Sequence, residues 1–344
     1  MWKAFGPGLI TGAADDDPSG IATYSQAGAQ FGYALTWTML LTLPFMAAIQ
    51  IISACIGWRT RNGLTKGFAQ RFPRPVLYVL VGLLVAANTI NVAADLAAMA
   101  ASLRLAVAGP AILYALLFGL GCLAAQIIVP YHRYAGYLKL LTMALLVYVA
   151  AAFSLRVPWG EVAFATLVPT VRLNRDMLLT VVAVFGTTIS PYLFFWQASQ
   201  GAEESRLSHR RRRSGGADDS HGYFQRISFD TWIGMAFSNL VGFFIIVTTA
   251  AALHAHGITR IDTAAQAAEA LRPLAGELTF TLFAAGIIGT GLLAVPVLSG
   301  SAAYALAEVL GLKVSLELPA GRARGFYAIL GFATIAGVAK PRIA

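Results

Sequence analysis

Apolar runs of roughly twenty residues recur along this chain, separated by short polar connections. A run of that length crosses the hydrocarbon core of a bilayer as a helix. The pattern predicts spans over about 5–30, 36–57, 76–103, 111–129, 136–153, 177–199, 230–253, 278–307 and 326–339. Eight of these are complete crossings and the ninth is incomplete. Two runs are interrupted in the same way. The first span breaks near 15–20, at Asp15-Asp16-Asp17-Pro18-Ser19-Gly20. The sixth breaks near 187–191, at Thr187-Thr188-Ile189-Ser190-Pro191. Proline removes a backbone donor and clashes with the preceding turn, so each helix stops there. Freed backbone groups at membrane depth persist only where protein buries them or where they line a cavity. A pair of interrupted spans at corresponding places in two halves points to the central binding site of a transporter.

Composition agrees with a polytopic helical membrane protein. The chain is 58% apolar and 12% charged, against about a quarter charged in a soluble domain. No cleavable signal peptide is expected, because the first apolar stretch already carries aspartates. The net charge of +9 would suit nucleic acid, but its distribution excludes that reading. Connections 58–75, 130–139, 200–229 and 308–325 hold 16 of the 25 basic residues, and the opposite-side connections hold six. This positive-inside bias predicts a multi-pass protein of the cell (inner or plasma) membrane with its N-terminus in the cytoplasm. Arg210–Arg213 reads as a topology signal. The lipid bilayer is the expected partner, and no obligate protein partner is evident. Segment 201–227, rich in Ser, Gly and Arg, reads as a mobile cytoplasmic linker. Segment 254–276 reads as a short surface helix. Cys55 and Cys122 lie in separate apolar spans, which excludes a disulfide framework or a cysteine metal cluster.

Five spans precede the second broken one, so a second copy of the unit would start from the opposite side of the membrane. The domains expected are a first repeat over 1–153 and an incomplete second repeat over 177–344. A five-plus-five repeat needs ten spans, so a C-terminally truncated bundle is expected.

The acids at depth are Asp15, Asp16, Asp17 and Asp95. Intramembrane ionisable groups are costly and mark function by default. Asp17 precedes Pro18, a position held out of helical geometry. Its carboxylate and the unwound carbonyls beside it make a hard oxygen site for a divalent cation. Asp15 and Asp16 line the approach or titrate; alternatively, some of the three aspartates cap the second half-helix. Thr187 and Ser190 offer hydroxyls in the second break, or bond back to their own helix. Asn88, Asn91 and Asp95 form one polar stripe on the third span. That stripe reads equally as a hydrated or proton path and as interhelical hydrogen bonding. No methionine lies in either break.

These residues resemble the NRAMP family of divalent-metal transporters. The first break is similar to the family motif Asp-Pro-Gly-Asn, here Asp17-Pro18-Ser19-Gly20. The second is similar to Ala-x-x-Met-Pro-His, here Thr187 through Tyr192. Span 3, Ala94-Asp95-Leu96-Ala97-Ala98, is similar to the family's Ala-Glu-Val-Ile-Gly. The resemblance implies an all-α membrane protein with a LeuT-like inverted-repeat bundle. It implies metal ligands at the positions of Asp17, Gly20, the Thr187 carbonyl and Ser190, with Asp95 and Tyr192 at further family positions; Asp15, Asp16 and Asn91 remain pathway or proton candidates on their own residues. The family's methionine is Ser190 here and its asparagine is Gly20. That leaves a harder, roomier site, as in the NRAMP-related magnesium transporters. Mg²⁺ or Mn²⁺ is therefore the expected substrate, moved by alternating access, with no cofactor and no enzymatic activity. The family's span-6 histidine is Tyr192 here, so proton coupling does not carry over. Two alternatives share the scaffold: a sodium-coupled organic-solute symporter and an inactive truncated transporter. An intramembrane aspartyl protease built on Asp17 and Asp95 lacks its Gly-x-Gly-Asp signature.

Overall fold

The computed structural model describes residues 7–129, 131–171, 174–213, 220–316 and 318–338. Every regular element among them is helical. The first span is two half-helices, α1 (Pro7–Asp15) and α2 (Pro18–Phe31). It is followed by α3 (Trp37–Thr60), a short α4 (Leu64–Ala69), α5 (Arg74–Ala106) and α6 (Ala111–Ile128). The fifth span is α7 (Tyr131–Leu141) and α8 (Leu146–Phe153), joined by a 3-10 turn over Thr142–Leu145. After α9 (Trp159–Leu167) the sixth span divides into α10 (Arg175–Thr188) and α11 (Pro191–Arg213). The chain continues through α12 (Ser220–Ala252), α13 (Ala264–Val309) and α14 (Arg324–Val338).

Six segments are long and apolar enough to cross a membrane, one of them Arg175–His209, which runs through the break between α10 and α11. The first and fifth spans are interrupted, and α14 has 15 residues. Burial separates centre from rim. In α12 and α13, 72% of the apolar window is buried, against 22% in α5 and α6. Leu83, Ile90 and Leu117 stand outward on those rim helices, as expected of side chains that meet lipid rather than water.

Small residues let the central helices approach closely, the usual device where apolar burial gives helices little reason to associate. Gly8 and Gly12 of α1 lie directly against Gly234 of α12. Asp230 of α12 accepts from the Gly8 amide at 2.7 Å, satisfying a donor at the start of α1. Gly57 of α3 meets the Ala198 backbone of α11.

Two expectations change. Residues 201–213 and 220–227 of the expected linker are helical, in α11 and α12; 214–219 lie outside the described residues. Distant partners hold these helix ends. Buried Glu203 accepts from the Tyr304 hydroxyl at 2.8 Å and the Leu316 amide at 3.0 Å. Arg206 donates to the Arg61 carbonyl at 2.6 and 2.9 Å. Tyr223 stacks on Trp58 with ring centroids 3.7 Å apart. The expected surface helix over 254–276 is instead a 3-10 turn at His254–His256 followed by the first part of α13, which runs on unbroken into the eighth span.

Candidate functional site

Both breaks fall where proline and its neighbours place them. Pro18 opens α2, where its missing amide costs nothing. Asp17 caps that helix from an extended conformation (φ −66°, ψ 164°). One carboxylate oxygen of Asp17 accepts from the Gly20 amide at 2.6 Å and the Ser19 hydroxyl at 2.8 Å. The N-cap reading of the triple aspartate thus holds for Asp17, which keeps its second oxygen for other partners.

The two breaks lie against each other. A β-carbon added at Gly20 would stand 3.2 Å from three oxygens: the Asp15 carbonyl, the Asp17 carboxylate and the Thr187 hydroxyl. Gly20 therefore allows a close approach of the two breaks, with oxygens from both around it. The Tyr192 hydroxyl donates to the Ala14 carbonyl at 2.6 Å, tying the start of α11 to the end of α1. The Tyr24 and Thr188 hydroxyls pair at 3.1 Å between α2 and α10.

Thr187 and Ser190 take different alternatives of the two read for the second break. The Ser190 hydroxyl donates to the Thr187 carbonyl at 2.5 Å and to the Gly186 carbonyl at 3.3 Å. It bonds back to its own helix, and the Thr187 atom that faces Asp17 and Gly20 is the hydroxyl. The polar stripe on α5 divides as well. Asn88 donates to the Leu298 carbonyl at 3.1 Å, an interhelical bond. Asp95 accepts from the Ser19 amide at 3.3 Å, which brings it to the first break. Half-buried Asn91 lines a groove of about 500 Å³ with Ser190 and Tyr192.

Asp15, Asp16, Asp17 and Asp95 are each at most 2% exposed. Asp15 accepts from the Ser238 hydroxyl at 3.1 Å, a partner on α12 that carries no local sequence signal. Among the described residues no basic side chain pairs with any of the four. The ion pairs there are Arg226–Glu204, Arg260–Asp262 and Arg272–Glu277, all between half-exposed or exposed residues. No group of three or more His, Cys, Asp or Glu among the described residues is arranged to hold a metal.

A cavity of about 1150 Å³ leads to the first break from the face that carries residues 259–266. Pro18 and Ser19 form its inner end, and Thr23, Gln26, Asp176 and Thr180 line its walls.

Comparison with known proteins agrees with this architecture. Residues 8–343 match the family described as Nramp, natural resistance-associated macrophage protein-like. The divalent metal cation transporter MntH of Yersinia pestis (strain Pestoides F) is 29% identical over 301 residues, covering 83% of this chain and 68% of the relative. MntH of Pectobacterium carotovorum subsp. carotovorum (strain PC1) is 27% identical over 300 residues, with the same coverage. The crystal structure of the Eremococcus coleocola manganese transporter superposes with a TM-score of 0.73 at 16% identity, covering 98% of this chain and 77% of that one. The fold is thus the LeuT-like helical bundle that the family resemblance implied. With residues 8–343 of its 344 matched by the family model, the chain is a member of the Nramp family of membrane transporters.

Proposed function

We propose that this protein carries divalent metal cations across the membrane, with Asp17 as the anionic ligand at a site between the two breaks. The observation that carries this reading is the convergence of the Asp15 carbonyl, the Asp17 carboxylate and the Thr187 hydroxyl around Gly20. The relatives named as divalent metal cation transporters support the substrate class.

All three converging donors are oxygens. Oxygen sites suit Mg²⁺ and Mn²⁺, whereas soft sulfur ligands favour other metals. Mg²⁺ also sheds water reluctantly. Ser190 contributes by holding the Thr187 carbonyl and ending α10 rather than by ligating through its hydroxyl. Asp95 faces the entry through Ser19, and Asn91 borders the groove behind the second break.

The cation enters through the large cavity that ends at Pro18 and Ser19, taken as the outer face because the opposite connections carry the basic excess. Rocking one group of helices against the other then exposes the site to the cytoplasm. An organic-solute symporter would aim half-helix N-termini at a substrate carboxylate, which four buried carboxylates would repel.

Uptake into proteoliposomes tests the proposal. Mg²⁺ or Mn²⁺ should accumulate above protein-free vesicles, and Asp17→Ala should reduce that flux to background. Absence of flux for both metals with well-folded protein would overturn it.

A further inference from the structure

A second cavity, of about 520 Å³, lies just past the C-terminal end of α2. Its volume falls within the usual range of small-molecule sites. Arg156, from the connection between α8 and α9, and Glu161, in the first turn of α9, both line it. Neither side chain has a hydrogen-bond or ion-pair partner among the described residues. Opposite charges that share a cavity without bonding each other leave room for a ligand that carries both.

His254 adds an acceptor to the same cavity. Its Nδ1 lies 2.9 Å from the Ala29 carbonyl in the last turn of α2. A carbonyl only accepts, so Nδ1 carries the hydrogen, and Nε2 of the neutral ring accepts. Nε2 faces Gly32, where an added β-carbon would stand 3.3 Å away.

The rim of the cavity is apolar. Phe164 lines it and is 64% exposed. Phe153, 65% exposed, packs on Trp159 and Phe244 with ring centroids 5.3 and 5.6 Å apart. Leu167 and Val171 continue the exposed apolar surface along α9 and beyond it. In a membrane transporter, exposed aromatics beside a charged pocket mark the level where headgroups meet acyl chains.

We propose that this cavity binds a phospholipid with a primary-amine headgroup, of the phosphatidylethanolamine class. The Arg156 guanidinium holds the phosphate, a planar fork against two oxygens. The ammonium donates to the Glu161 carboxylate and to His254 Nε2. The acyl chains run over Phe153 and Phe164. A choline headgroup has no N–H to give these acceptors, and a glycerol headgroup has no positive charge to set against Glu161. His254 ties the pocket to α2, so a bound lipid would brace the half-helix whose Thr23 and Gln26 wall the large cavity. The site does not rest on the assignment of Asp17 as metal ligand.

The test is lipid binding to the delipidated full chain in detergent, read by native mass spectrometry and by the thermal unfolding midpoint. The probes are phosphatidylethanolamine, phosphatidylcholine and phosphatidylglycerol with identical acyl chains, and soluble glycerophosphoethanolamine. Phosphatidylethanolamine should bind saturably and about tenfold more tightly than the other two lipids, the size of one charge-assisted hydrogen bond. Arg156→Gln and Glu161→Gln should each remove that preference and leave the lipid-free midpoint unchanged. Equal affinity for the three lipids, or a preference that survives in either variant, would overturn the proposal. Glycerophosphoethanolamine binding as tightly as the lipid would overturn its assignment to a membrane lipid.

Discussion

The Tyr192 hydroxyl donates to the Ala14 carbonyl across a sequence separation of 178 residues, at 2.6 Å. The bond joins the first turn of α11, the second half of the sixth span, to the last turn of α1, the first half of the first span. It also satisfies a carbonyl that the break at Asp15 leaves without its helical donor. Tyr192→Phe should leave that buried acceptor bare, at a cost of about 1–3 kcal/mol. Thermal unfolding in detergent should show a midpoint lower by a few degrees. An unchanged midpoint would mean that the bond does not hold the breaks together.

Gly20 governs the room between the breaks. A β-carbon there sits 3.2 Å from three candidate donors at once, so those oxygens must give way. Gly20→Ala should weaken Mn²⁺ and Mg²⁺ binding by roughly tenfold, the size of one disturbed ligand, while leaving the folded population intact. Titration calorimetry on the purified variant reads this directly.

Gly12 backs onto Gly234 where α1 crosses α12. Gly12→Leu should force these helices apart, with an overpacking cost of about 1–3 kcal/mol or more. The expected readout is loss of monodisperse protein on size exclusion, with Gly160→Ala, at an open position, as the unaffected control.

The end of α13 is tied to the loop before α4 by Glu308, which accepts from the Gly63 amide at 2.6 Å. Glu308→Ala leaves that buried amide without its acceptor and should cost about 1–3 kcal/mol. Glu308→Gln retains an acceptor oxygen and should recover most of the loss in the same unfolding assay.

Much of this architecture is legible in the sequence because its signals are local. Asp17-Pro18 and Ser190-Pro191 announce the helix breaks through proline chemistry alone, and apolar run length announces the spans. What is not legible is whatever a distant residue decides. The helical ends at 201–213 and 220–227 look like linker by composition, yet Glu203 meets Tyr304 and Tyr223 meets Trp58 across the fold. The role of Ser190 was open for the same reason: its hydroxyl could face a ligand or its own helix, and only the backbone geometry around Ile189 decides. Ser238 carries no motif, and it matters because α12 brings it to Asp15.

The most direct measurement is a double-mutant cycle on metal binding between the two breaks. Mn²⁺ affinity would be measured for the unaltered chain, Asp17→Asn, Thr187→Ala and the double variant. Residues that share one bound ion should couple by about 0.5–3 kcal/mol, so the double variant should lose less than the sum of the single losses. Additive losses within about 0.3–0.5 kcal/mol would mean that Asp17 and Thr187 do not hold the same cation, and the site between the breaks would be contradicted.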